Sequence, residues 1–146
     1  MTYIGIDPGK SGALAIINGD EVKFFPFDKQ TYVEELLKVD ETDAICCLEH
    51  VNSLPHDGHN VSFNFGENFG WIQGVLDCYK IPYELVRPQK WKKEYSLGKD
   101  KSASIDTCKR LYPSVSLLPT PRCKKDNDNF AEAILLAEYA RRKFGR

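Results

Sequence analysis

Short apolar runs separated by dense turn signals open the chain. Thr2–Asp7 and Ala13–Ile17 read as strands, with Pro8-Gly9-Lys10-Ser11-Gly12 as the turn between them. Asn18-Gly19-Asp20 is a second, hairpin-type turn that leads to a third strand near Glu21–Pro26, so the pattern predicts three strands in an antiparallel meander. The period then changes. Val33, Leu36 and Leu37 have helical spacing within Thr31–Lys38, and Ala44–Glu49 is an apolar run suited to a buried strand. Val51–Asn64, with its Gly, Asn and Pro residues, reads as irregular. From about Gly66 to Tyr79 the apolar residues Phe69, Ile72, Leu76 and Tyr79 recur with a helical period, and Ile81–Val86 resembles another strand. Ser102–Leu111 predicts a helix stopped by Pro113, and a last helix runs from about Asn127 to Phe144. Between them, Pro119, Pro121 and three basic residues interrupt the periodicity, which makes Leu117–Lys125 the candidate flexible segment.

Three strands, a helix, a strand, a helix, a strand and then helices imply an α/β chain built on one mixed sheet with helices packed on it. At 146 residues the whole chain, 1–146, is expected to be a single domain with a core large enough to need no disulfide. No run approaches the ~20 apolar residues of a membrane span, and Met1-Thr2-Tyr3-Ile4 lacks the basic start of a targeting segment, so a cytoplasmic site of action is expected. The five cysteines, Cys46, Cys47, Cys78, Cys108 and Cys123, have no C-x-x-C pair among them and read as reduced thiols rather than a zinc site.

The net charge of -1 hides a division. Residues 1–86 carry five Lys/Arg against fourteen Asp/Glu, whereas residues 87–146 carry fifteen against seven. The balances are therefore -9 and +8, and the C-terminal part is a candidate polyanion-binding face. Solvated lysines serving solubility alone would give the same count.

Four carboxylates stand out against this background. Asp7 ends an apolar strand and precedes Pro8, which holds it extended, although Asp before Pro-Gly is also ordinary turn chemistry. Glu49 repeats the arrangement at the end of Ala44–Leu48, and active sites in open α/β sheets lie outside such strand ends. Asp128 and Glu132 are spaced i,i+4, so both project from one face of the last helix. That helix is apolar nearly all round, and a carboxylate there requires a cation or a proton. Asp128 alone is also explained by the helix dipole. Four hard oxygen ligands suit Mg2+ or Mn2+ rather than zinc, and two such ions per active site would clamp the attacking water and leaving oxygen of a phosphodiester.

Together these residues resemble the RNase H-like nucleases, whose first strand carries a metal-binding Asp, fourth strand a Glu and last helix further carboxylates. Ile4-Gly5-Ile6-Asp7-Pro8-Gly9-x-Ser11-Gly12-Ala13 is similar to the opening of RuvC-type Holliday-junction resolvases, including those of phages. The Gly- and Phe-containing stretch Ser62–Gly70, the segment Pro82–Lys92 and the final Asp128-x-x-Ala131-Glu132-Ala133-x-x-Leu136-Ala137 resemble the same group over nearly the whole chain. The resemblance implies an RNase H-like fold with a mixed five-stranded sheet, three antiparallel strands followed by two parallel ones, flanked by helices. It also implies a homodimeric, structure-selective endodeoxyribonuclease acting on four-way or related branched DNA. One departure concerns the last helix, where the bacterial resolvases usually carry two Asp. Here Glu132 holds the inner position, and either Asp128 or Asp126 precedes it. Asp128 is preferred because its spacing to Glu132 needs no distortion.

Lys90, Lys92, Lys93, Lys99 and Lys101 are candidate phosphate contacts, and the resemblance implies that Lys99 or Lys101 lies near the scissile phosphate. Phe65 and Phe69, with Phe63 and Trp71, are candidates for stacking on unpaired bases, with core packing as the alternative, favoured together with a dimer interface for Phe69 and Trp71. His50, His56 and His59 are candidates to assist the metal site or activate water, although lone histidines in a polar loop are usually just solvated. A junction-binding protein without catalysis and an RNase H acting on RNA/DNA hybrids are the alternative functions.

Overall fold

The computed structural model describes residues 1–52 and 54–145. Strands β1 (Thr2–Asp7), β2 (Ala13–Asn18) and β3 (Glu21–Pro26) form the antiparallel meander, with Gly19 supplying the positive φ that its tight hairpin turn requires. Strand β4 (Ala44–Glu49) pairs parallel to β1 on its other edge, and β5 (Tyr83–Val86) pairs parallel to β4. The order is β3-β2-β1-β4-β5, the mixed five-stranded sheet expected. Helices α1 (Lys29–Leu37), α2 (His59–Cys78), α3 (Pro88–Glu94), α4 (Lys101–Leu111) and α5 (Asp128–Phe144) complete the chain.

Helices cover both faces of the sheet, which explains why the central strands read as continuous apolar runs rather than alternating ones. Ile4, Ile6, Leu14, Cys46 and Leu48 face α1 and α2, where Tyr32, Leu36, Ile72 and Leu76 complete that cluster. On the other face Tyr3, Ala13, Ala15, Ile17 and Cys47 lie beneath α5, joined by Trp91 of α3 and Cys108 of α4. Gly5 sits at the closest approach of α5 to β1, because a Cβ there would strike the backbone carbonyl of Ala133 and the backbone N–H of Ala137. That proximity brings the start of α5 over the end of β1.

Two elements differ from the pattern-based reading. Helix α2 begins at His59, not near Gly66, so the last six residues of the segment read as irregular are helical. Gly66, Gly70 and Gly74 fall on one exposed face of α2, where an added Cβ would meet nothing. Each costs the helix about 1 kcal/mol relative to Ala. The opposite face, with Ile72 and Leu76 buried, offsets that cost. Helix α3 has a single local signal in the sequence, Pro88 at the first helical position. The stretch after α4 is tied down at its start, since Leu117 is buried and its carbonyl accepts the N–H of Asn127 at 2.8 Å. No helix among the described residues is long and apolar enough to cross a membrane, and all five cysteines are free thiols.

Candidate metal centre

The parallel register of β1 and β4 puts Ile6 level with Leu48, so the next residues, Asp7 and Glu49, stand side by side at the strand ends. Side-chain alternation places both on the α5 face, in line with Gly5 and Cys47. Helix α5 is capped by Asn127, whose side chain accepts the N–H of Asn129 at 2.9 Å, and its second turn carries Glu132 toward the same point. Carboxylate oxygens of Asp7, Glu49 and Glu132 lie within 4.8 Å of one another, and among the described residues no other group of acidic, His or Cys side chains is as dense.

Asp7 and Glu49 are only 9% and 5% exposed. Burial raises the Asp7 carboxyl well above the usual range, the charges of Glu49 and Glu132 raise it further, and Lys92 partly offsets them. Glu49 is raised as well, again chiefly by burial, but a hydrogen bond from Trp91 and the charge of Lys92 work against the rise. Without a bound ion, the cluster therefore resists carrying its full negative charge, and most strongly at Asp7. The donor set of three converging hard oxygens, with no nitrogen or sulfur, fits Mg2+ or Mn2+. A divalent cation would offset both the burial cost and the like-charge repulsion that raise Asp7.

Helix α3 supplies two neighbours that pattern reasoning did not attach to the site. The indole Nε1–H of Trp91 donates to Glu49 Oε2 at 2.7 Å, and Trp91 is 0% exposed. The ammonium of Lys92 lies 3.3 Å from Glu132 Oε1. The carboxylate on the apolar helix thus has a cation of its own, and Lys92, expected on an open phosphate-binding face, is half-buried beside the carboxylates.

Asp128, the first residue of α5, lies outside the carboxylate trio and pairs with Lys101 at 3.5 Å. Asp126 is held by Lys109 at 2.5 Å. Both remain about a turn or more from Glu132 along the chain, each with a lysine partner.

The remaining lysines divide by partner. Lys90 is drawn toward Glu84 at 3.7 Å, whereas Lys93 and Lys99 are exposed and without an ion pair among the described residues. With Lys92 they line a groove of about 710 Å3 along α3 and the turn that follows it. His50 stacks on Phe69 (ring centroids 5.7 Å apart, 15° between planes), and Phe69 on Phe65 (6.3 Å, 12°). This column starts from the residue next to Glu49. Phe63 is 70% exposed, while Trp71, half-buried, packs against the core, edge-on to Phe27 at 6.1 Å and close to Tyr32 at 6.4 Å. His56 is exposed, and His59 is the first residue of α2.

No protein-family model matches the sequence, and no curated protein does. Solved structures do match it. The structure of Thermus thermophilus RuvC in complex with a Holliday-junction substrate superimposes with a TM-score of 0.62 at 12% identity, covering 99% of this chain and 97% of that one. A further Thermus thermophilus RuvC structure aligns at a TM-score of 0.59 and 17% identity, over 98% and 97% of the two chains. The chain therefore has the RuvC fold, an RNase H-like architecture, along nearly its full length.

Proposed function

We propose that this chain is a divalent-metal-dependent endodeoxyribonuclease that resolves four-way or related branched DNA, and that residues 1–146 act as a single nuclease domain. The observation that carries the reading is the convergence of Asp7, Glu49 and Glu132 at the end of a sheet whose fold is that of junction resolvases. A cluster of three carboxylates, two of them buried, is costly to keep in a protein that only binds DNA. Its cost is offset when it holds a cation.

Asp7, Glu49 and Glu132 hold the ion in this reading, with Asp128 available for a second one if Lys101 releases it. Mg2+ or Mn2+ bound there, two per active site, supplies Lewis-acid charge and an activated water for phosphodiester hydrolysis. Lys92 neutralises Glu132 and faces the incoming phosphate. Lys93 and Lys99, with Lys90 and Lys101 when their acidic partners let go, hold the flanking backbone. Phe65, at the end of the column with Phe69 behind it, offers a ring face to unpaired bases at the branch, a contact that needs no particular base. A four-way junction has near two-fold symmetry and needs two cuts, which favours a homodimer with one site per copy. Chemistry on host or phage DNA would take place in the cytoplasm.

Incubation with a four-way junction, a fork, a linear duplex and an RNA/DNA hybrid, with and without Mg2+, tests the reading. The expected result is Mg2+-dependent nicking of the junction in preference to the linear duplex. Tight junction binding without any cleavage would identify a non-catalytic binder, and cleavage of the hybrid alone would identify an RNase H.

Affinity for the junction is expected to be strongly salt-dependent even though the whole chain is slightly acidic. Changing Lys93 and Lys99 together to Gln should lower the slope of log K against log[salt] by about 2, since each phosphate contact contributes roughly 0.9. An unchanged slope would place the phosphate contacts elsewhere on the surface.

A further inference from the structure

We infer that Trp91 is a positioning residue for the metal centre: its indole N–H fixes the Glu49 carboxylate in the orientation that presents it to a cation shared with Asp7 and Glu132. The inference rests on the metal-binding reading proposed above and extends it to a residue outside the ligand set.

The geometry is specific. Trp91 donates to Glu49 Oε2 at 2.7 Å from a fully buried position. An indole N–H is a donor only and does not ionise, so this bond cannot reverse or be lost to protonation of the tryptophan. The terminal torsion of a glutamate is broad and soft. One donor that takes a lone pair of Oε2 defines the carboxylate plane, leaving Oε1 and the second lone pair of Oε2 for a ligand. Carboxylates that bind metals are commonly held by such outer partners, and losing the partner costs about 10–100-fold in metal affinity or activity.

Trp91 is itself held rigidly. Its helix starts at Pro88, whose fixed φ suits the first helical position. One turn later Tyr95 packs edge-on to the indole, with centroids 6.4 Å apart, and its hydroxyl donates to the carbonyl of Leu135 at 2.8 Å. Leu135 lies on α5, three residues beyond Glu132. Helix α3 is thus pinned to α5 through Tyr95 and to β4 through Trp91, and it spans the two elements that contribute Glu132 and Glu49. A tryptophan needed only to fill the core would have a backbone carbonyl as an adequate acceptor. This one spends its single polar hydrogen on a candidate ligand.

The test is the affinity of the full-length, metal-free protein for Mn2+, measured by calorimetry. Trp91→Phe should bind Mn2+ about 10–100-fold more weakly than the parent protein while keeping its far-UV circular dichroism. In a Glu49→Gln background the same change should alter Mn2+ affinity less than about threefold, because a residue acting through Glu49 has nothing left to orient. Should Trp91→Phe fail to fold, site-specific replacement of Trp91 by benzothienylalanine, which keeps the bicyclic shape and lacks the N–H, is expected to give the same loss. Parent-like Mn2+ affinity in a folded Trp91→Phe or benzothienylalanine protein would overturn the inference and leave the metal centre standing. Equal losses in the Glu49 and Glu49→Gln backgrounds would overturn it too, since Trp91 would then act by packing alone. Absence of Mn2+ binding by the parent protein would overturn the metal reading and this inference with it.

Discussion

Asp7→Asn is expected to abolish branched-DNA cleavage and, at the same time, to stabilise the metal-free protein at neutral pH. The first effect follows from the proposed ligand role: losing one anionic ligand removes several kcal/mol of charge stabilisation, and about 4 kcal/mol corresponds to a thousandfold in rate. Junction binding should stay within a few fold, because Lys93 and Lys99 are untouched. The second effect follows from burial. Asp7 has a carboxyl pKa raised by desolvation and by the charges of Glu49 and Glu132. Folded protein therefore holds this proton to higher pH than the unfolded chain, which releases it near pH ~4. The stabilisation from that proton is complete below pH ~4 and is lost as pH rises through the raised value. Asparagine carries no such liability, so thermal unfolding of the two metal-free proteins should converge near pH 4 and separate as pH rises, with the variant higher. Each 1 kcal/mol amounts to roughly 2–4 °C at about this chain length. Added Mg2+ should raise the Tm of the parent protein by mass action and leave the variant nearly unmoved. A variant less stable than the parent at pH 8 without metal would show that Asp7 is not a buried, uncompensated charge, and Mg2+-dependent cleavage by the variant would remove it from the ligand set.

The strand-end carboxylates were legible in the sequence because they combine two local signals, an apolar run and a polar residue that closes it. Asp7 and Glu49 needed only the strand order to become neighbours, and that order follows from a meander followed by parallel crossovers. Glu132 was legible for a different reason, as a charge set among the apolar residues Phe130, Ala131, Ala133, Ile134, Leu135 and Leu136 of the last helix. What stayed hidden depends on contacts between distant residues. The Trp91–Glu49 bond joins residues 42 positions apart, and nothing near Trp91 announces an acceptor. Lys92 was visible as one of several lysines, but its partner Glu132 lies on another helix, so charge counting assigned it to the open face. Helix α3, at seven residues, is too short to show a period. In α2 the glycines misled because Gly is costly in a helix only through local terms, and packing of the opposite face outweighed them.

Gly5 offers the sharpest test of how the fold makes the site. Its Cα faces α5 at the point where the helix crosses β1, and a methyl group there would meet the carbonyl of Ala133 and the N–H of Ala137, which are backbone atoms that cannot rotate away. Gly5→Ala therefore forces the helix off the sheet or bends the strand. Overpacking of this kind costs about 1–3 kcal/mol and occasionally more, and here it disturbs the helix that contributes nine buried residues to the core. A fall in Tm of roughly 5–10 °C is expected, given the sensitivity of a chain of about this size. The consequence for function is separate from the loss of stability. Glu132 precedes Ala133 on the displaced helix, so its carboxylate should move away from Asp7 and Glu49 by about the distance the helix is pushed. A displacement near 1 Å can cost about a hundredfold in rate. Cleavage measured well below the variant's own Tm, where the protein is fully folded, should consequently remain far below the parent level, and Mn2+ affinity should fall with it. If Gly5→Ala folds with parent-like Tm and cleaves normally, the close packing of α5 on β1 is not what sets the position of Glu132. In that case the alignment of the three carboxylates must come from the loop and cap at Asn127.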